Sequence, residues 1–142
     1  MALQPKRDHD VVTIQASAAK TASGLGDSVR LPGMANAYAF TLDCTVGSAG
    51  ASDTCDVYVA TMLDGVNWTN IVHYTQLTGT GGAKRYIAKV CADLTQDDFE
   101  ASGSLAASAV RNLMGDEYRA TWSITDTSGS GSFTFSVVGE PM

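Results

Sequence analysis

The clearest pattern in this chain is a two-residue alternation of apolar and polar side chains. It runs from Tyr38 to Val46, from Cys55 to Leu63 and from Tyr118 to Ile124. In the second run the polar residue Thr61 occupies one of the otherwise apolar positions. An alternation of this period places one face of a segment against a core and the other toward solvent, which is typical of β-strands. Between Leu105 and Met114 the pattern is compatible both with a short helix and with a loop.

Turn-forming residues separate these segments. Asp64–Gly65 lies between two β-rich runs and predicts a tight hairpin that packs Trp68 in the core. Glycine-rich and serine-rich stretches at 47–54 and 79–82 are also expected to close hairpins. Seven or eight short strands joined in this way predict an all-β fold, an antiparallel sandwich or barrel, formed by one domain over residues 11–142. Residues 1–10 are polar and show no hydrophobic periodicity, which predicts an extended N-terminal arm.

Composition agrees with a β-rich globular protein. Ala, Thr, Gly and Ser make up 61 of the 142 residues, whereas Glu (3) and Lys (4), which usually fill helical surfaces, are scarce. The net charge of −6 argues against a surface that binds nucleic acid. No apolar run approaches the roughly 18 residues of a membrane helix. The first ten residues lack the hydrophobic stretch of a secretory signal, so we expect neither a membrane partner nor export.

Chemistry-bearing residues are few and dispersed. Neither His9 nor His73 has a Cys, Asp or Glu at ligand spacing, and the chain has no G-x-S-x-G motif. The acidic group Asp97, Asp98 and Glu100 lacks the spacing of a calcium loop and favours a solvated helix start instead. The sequence therefore predicts no enzyme, no cofactor and no metal site.

The chain has three cysteines, Cys44, Cys55 and Cys91, so that one thiol stays unpaired if two of them form a disulfide. Cys44 and Cys55 flank the turn-like segment 46–54, and a disulfide between them across a hairpin is one interpretation. Three reduced, buried thiols are the favoured alternative, because the chain shows no export signal.

Three segments, taken in order, resemble a known group of proteins: Val57–Trp68, Leu113–Trp122 and Gly131–Val137. Over residues 37–138 the chain is similar to small β-sandwich structural proteins of tailed bacteriophages. The resemblance implies a non-enzymatic virion protein, made in the host cytoplasm and carried on the capsid surface. Its expected role is that of a decoration (cement) protein, which binds the outside of the capsid and stabilises it through many weak contacts.

The same resemblance implies the partners. These are the major capsid protein and further copies of the chain, with trimers common in such proteins. A tail, connector or fibre-associated component is the first alternative function. A carbohydrate-binding or receptor-binding module, using Trp68, Trp122 or the tyrosines, is the second.

Two groups of residues are the candidate protein interface, because an acidic neighbour would attract their charge. The first group belongs to the arm and the second to one basic strand: Gln4, Lys6, Arg7 and His9; Lys84, Arg85 and Lys89. That both are ordinary solvated faces is an equally open interpretation.

Overall fold

Eleven β-strands in two antiparallel sheets build the structure. The computed structural model describes residues 11–31, 35–92, 99–100 and 103–142, and this part of the chain contains no helix. No helix that could cross a membrane is therefore found among the described residues. The predicted arm (1–10) and the acidic residues Asp97 and Asp98 lie outside them.

The strands divide into a sheet of four and a sheet of seven. Sheet A consists of β1 (Val12–Lys20), β4 (Ala37–Val46), β8 (Lys84–Cys91) and β11 (Phe133–Pro141). Sheet B consists of β2 (Gly24–Leu25), β3 (Val29–Arg30), β5 (Thr54–Met62), β6 (Trp68–His73), β7 (Leu77–Thr78), β9 (Ala109–Val110) and β10 (Glu117–Thr125). The order is β1-β11-β4-β8 in sheet A and β2-β10-β5-β6-β9 in sheet B, where β3 also pairs with β10 and β7 with β5.

The predicted all-β sandwich is confirmed. The alternating residues of β4, β5, β10 and β11 face one another between the sheets, and Phe40, Val57, Tyr118 and Phe135 are fully buried there. The ring of Tyr118 in sheet B lies 5.5 Å from that of Phe40 in sheet A, so aromatic contacts join the two layers. Seven strands have six residues or more, and the four additional strands have only two residues each.

The Asp64–Gly65 hairpin is also confirmed and joins β5 to β6. Asp64 shapes the turn, because its carboxylate accepts the backbone N–H groups of Val66 (2.8 Å) and Asn67 (2.6 Å). Gly65 has φ +79°, a conformation in which a side chain would be strained. The backbone hydrogen bond from Asn67, the largest cause, and the further bonds from Asn67 and Val66 lower the pKa of Asp64 to about 2.

The other two predicted hairpins are wrong. The segments 47–53 and 79–83 each leave one sheet and enter the other, as does 126–132 between β10 and β11. Alternation along a strand reveals its apolar face but not the sheet in which it finds a partner. The segment 105–114, open between helix and loop in the sequence, is a loop that contains the short strand β9.

The three sheet-crossing segments meet around Asp53 at one end of the sandwich, and the side chain of Asp53 is 0% exposed. One carboxylate oxygen accepts the hydroxyls of Ser48 (2.6 Å) and Ser128 (2.7 Å), and the other accepts the backbone N–H groups of Thr127 (2.9 Å) and Ser128 (3.1 Å). The backbone carbonyl of Asp53 accepts the N–H of Gly79 (2.7 Å). A Cβ at Gly79 would overlap the carbonyl oxygen of Gly50, so only glycine allows this approach.

The hydrogen bonds from Ser48 and Ser128, the two largest causes, hold the pKa of Asp53 well below its ordinary value. A carboxyl group whose pKa is lower in the folded protein than in the unfolded chain stabilises the fold above its unfolded pKa. That stabilisation is lost as the pH falls toward the folded value. Asp53 therefore ties the loops together most strongly as the ionised carboxylate.

We expect Asp53→Ala to lower the Tm by roughly 5 °C or more, because the buried hydroxyl of Ser48 and the partly buried donors of Thr127 and Ser128 lose their acceptor. Asp53→Asn is expected to lower the Tm less, since its amide oxygen can still accept the two backbone N–H groups. Asp27→Asn is the matched control, because Asp27 is exposed and makes no hydrogen bond within the described residues.

Thermal unfolding between about pH 5 and pH 2 checks the electrostatic part of this prediction. The stability gap between the natural chain and Asp53→Asn should narrow as the pH falls, because Asp53 binds a proton in the unfolded chain before it does so in the folded protein. A gap that stays constant over this range would show that the charge of Asp53 contributes nothing.

Candidate functional site

The basic strand identified in the sequence is β8, at one edge of sheet A. Its outward-facing side chains include Arg85, Ile87 and Lys89, whereas Lys84 has the opposite orientation at the start of the strand. All four are exposed, and Ile87 is 70% exposed. The structure therefore brings two of the three predicted basic residues together on one face and adds an apolar residue between them.

The charges of this strand are only partly compensated. Arg85 donates to the carboxylate of Asp43 on the neighbouring strand β4 (3.2 Å). Lys84 and Lys89 form no ion pair with any residue in the described ranges. An exposed pair such as Arg85–Asp43 contributes little to stability, so these charges remain available to a partner.

The outer edge of β8 faces a groove. No strand pairs with this edge within the described part of the chain. Its last residue, Cys91, instead donates its backbone N–H to the side-chain oxygen of Asn112 (3.3 Å). Between β8 and the strands β6 and β9 lies a cavity of about 230 Å³, whose apolar lining includes Val72, Ile87 and Val110.

The predicted arm residues Gln4, Lys6, Arg7 and His9 lie outside the described residues, so the structure does not place them relative to β8. Ile87 was not among the predicted interface residues. The alternation of β8 places it on the same face as Arg85 and Lys89, and this is the signal in the sequence that could have identified it.

His73 lies at this groove and is buried, with 8% exposure. Its Nδ1 lies 2.7 Å from the carbonyl oxygen of Leu105 and its Nε2 lies 2.9 Å from a carboxylate oxygen of Asp56. Tyr58 stacks on the ring at 4.1 Å, and Gln76 donates to the other oxygen of Asp56 (3.0 Å). Both ring nitrogens thus contact oxygen atoms of the protein, and neither is directed at an open space beside the groove.

This cluster fixes a long loop on sheet B. Arg111, which is buried, donates to the backbone carbonyls of Gly103 and Ser104 (3.3 Å each) and Asn70 (3.3 Å). Its backbone N–H donates to Ile71 (2.8 Å). His73 and Arg111 together therefore anchor the segment 103–111 at the rim of the groove.

The cysteines do not form the hairpin disulfide. Cys44 and Cys55 are free and buried, and they belong to different sheets. Burial raises the pKa of the Cys55 thiol to about 12 and also raises that of Cys44, so both remain protonated near neutral pH. No group of His, Cys, Asp and Glu side chains suited to a metal ion occurs among the described residues.

The two tryptophans have different environments. Trp122 packs inward at 5.8 Å from Phe135 and donates its indole N–H to the carbonyl of Ala22 (2.9 Å). Trp68, expected in the core, instead lies half-buried on the outer face of sheet B, with the guanidinium of Arg119 4.4 Å above its ring. The expectation for Trp68 is wrong because β6 carries an irregular register beside Val59 and Ala60, which hydrophobicity alone does not reveal.

We expect His73→Ala to release the loop 103–111 from sheet B. Amide exchange at Arg111 should accelerate by about tenfold or more, because its hydrogen bond to Ile71 depends on the anchored loop. Gln76→Ala, which removes a neighbouring bond to Asp56 only, is the control and should leave this exchange almost unchanged. Unchanged exchange at Arg111 in His73→Ala would contradict the anchoring role.

Comparison of the chain with protein-family models, with curated proteins and with solved structures gives no match. The likeness to phage structural proteins stays a prediction from the sequence.

Proposed function

We propose that this chain is a non-enzymatic structural protein of a phage virion, a decoration protein that binds the outside of the capsid. The sequence resemblance suggests that the protein is part of a virion and that it binds the capsid. The observation that carries the binding role is the open edge of β8, with exposed Ile87 between Arg85 and Lys89 beside a groove that is partly lined by apolar residues. The proposed partner contributes an extended acidic segment to this edge.

Backbone groups give this edge its affinity for a strand. An unpaired strand edge presents N–H and C=O groups that an extended segment of another protein can satisfy. The groove beside β8 can receive an apolar side chain of that segment against Ile87 and Val110. Burial of such side chains supplies about 25 cal/mol for each Å² removed from water.

Charge selects an acidic partner. If two copies of β8 paired antiparallel around Ile87, Arg85 of one copy would oppose Lys89 of the other, and like charges opposite each other disfavour pairing. A segment with Asp or Glu at these positions would gain from the same charges. The contact therefore favours a different protein, such as a capsid subunit, over a second β8.

The scaffold suits repeated weak binding. Two packed sheets hold β8 in one conformation, so that little conformational entropy is lost on association. A standard contact buries about 800 Å² per partner, and many copies on one particle add their effects. A cement protein needs this rigidity and multiplicity and requires no reactive group.

We expect Ile87→Lys and Lys89→Glu each to weaken binding to purified heads lacking the protein by about tenfold or more. Co-sedimentation with these heads at increasing protein concentration measures the effect. Val66→Lys is the matched control, because Val66 is 74% exposed at the β5–β6 turn, in the other sheet.

Three outcomes would contradict the proposal. Binding to tails alone would refute the capsid role and favour the tail or connector alternative. Full head binding by Ile87→Lys would refute docking at β8, as would an equal loss in Val66→Lys.

A further inference from the structure

A second concave region lies on the outer face of sheet B and is separate from β8. It has a volume of about 290 Å³ and is bordered by Trp68, Asn70, Arg119 and Thr121, with Ala60 at its base. The register of β5 with β6 and β10 places Ala60 beside Asn70 on one side and Arg119 on the other. The small side chain of Ala60 leaves space between its larger neighbours.

Arg119 differs from the other described arginines in having no acceptor. Arg30 pairs with Glu117 at 3.7 Å, Arg85 pairs with Asp43, and Arg111 donates to backbone carbonyls. Arg119 makes no ion pair and no hydrogen bond within the described ranges, and its Nε is buried without a partner. Arg119 is thus a half-buried positive charge with no anionic or hydrogen-bonding partner for its side chain among the described residues.

The electrostatics of Arg119 indicate an anion. Burial lowers the pKa of its guanidinium, because the charged form is less well solvated there than in water. An arginine nevertheless stays protonated at neutral pH. The Trp68 ring, whose centroid lies 4.4 Å from the guanidinium carbon, limits the positions of the guanidinium, and this planar group can form two parallel hydrogen bonds to a carboxylate.

Two further polar side chains line the same pocket. The amide of Asn70 and the hydroxyl of Thr121 make no side-chain hydrogen bond to another described residue. The guanidinium of Arg119, the amide of Asn70 and the hydroxyl of Thr121 thus surround a space larger than a carboxylate alone would fill. A few convergent polar groups of this kind, with one aromatic ring, are typical of small-ligand sites.

We propose that this pocket binds a carboxylate-bearing monosaccharide unit, such as a uronic or sialic acid. Its carboxylate would accept from Arg119 and its ring hydroxyls would bond to Asn70 and Thr121. The net charge of −6 disfavours a long polyanion, whereas a single sugar acid requires only one local positive charge. This inference goes beyond the capsid role and does not depend on it, since β8 belongs to sheet A.

The experiment titrates the full chain with glucuronate, galacturonate and N-acetylneuraminate, and follows the Trp68 indole resonance in two-dimensional NMR. We expect saturable binding of at least one acid in the millimolar range. Glucose and galactose should bind at least about tenfold more weakly, because they lack the carboxylate.

Variants locate the site. Arg119→Lys keeps the charge but loses the planar fork, and should weaken binding by about tenfold. Asn70→Asp should also abolish binding while preserving the fold, because it places a carboxylate beside Arg119. Arg30→Ala is the matched control, since it removes an exposed arginine of the same sheet outside this pocket and should bind normally.

Several results would overturn the proposal. These are the absence of saturable binding for all three acids, equal binding of the neutral sugars, and unchanged binding in Arg119→Lys or Asn70→Asp. N-acetylaspartate and N-acetylglutamate amides test an acidic protein segment as the source of the carboxylate. If these amides bind at least as tightly as the sugar acids, the pocket recognises a peptide and the sugar assignment is wrong.

Discussion

The buried carboxylate of Asp53 is the interaction on which the two-layer structure depends. Hydroxyl and backbone donors of two sheet-crossing segments, 47–53 and 126–132, converge on its two oxygens, and a third segment, 79–83, bonds to the backbone carbonyl of Asp53. Hydrogen bonds to a charged acceptor are stronger than neutral ones, and a buried charge without them would be costly. The hydrogen bonds from the loops therefore stabilise the buried charge, and the charge in turn fixes the positions of the loops.

This constraint has consequences for β8. The segment 79–83 leads into β8, and its first residue, Gly79, donates its backbone N–H to Asp53. The start of β8 is therefore fixed at the end of the sandwich where Asp53 lies. The other end of β8 approaches Asn112, close to the loop that His73 and Arg111 anchor. An edge strand fixed at both ends keeps its exposed groups in one arrangement, which is a requirement for binding a partner strand without a large loss of entropy.

The two candidate sites have different chemistry although both depend on arginine. At β8 the charges are exposed and Arg85 already has an acidic neighbour, so their contribution lies in selecting the partner and in the rate of association. At the sheet B pocket the charge of Arg119 is half-buried against Trp68 and lacks a partner among the described residues, so a bound anion would meet less competition from water. The sandwich thus packs its core between the sheets and presents two separate candidate binding surfaces.

The sequence by itself determined the fold class, because a two-residue alternation can bury one face only as a strand. It also determined the Asp64–Gly65 hairpin, whose turn chemistry is local. Only the tertiary structure decided which strands share a sheet, since the segments 47–53 and 79–83 are compatible with either a hairpin or a crossing. It also decided that Trp68 lies outside and Trp122 inside, and that the Arg119 side chain has no acceptor in the described part of the chain. These facts depend on register and on neighbours distant in the chain, whose energies no local pattern contains.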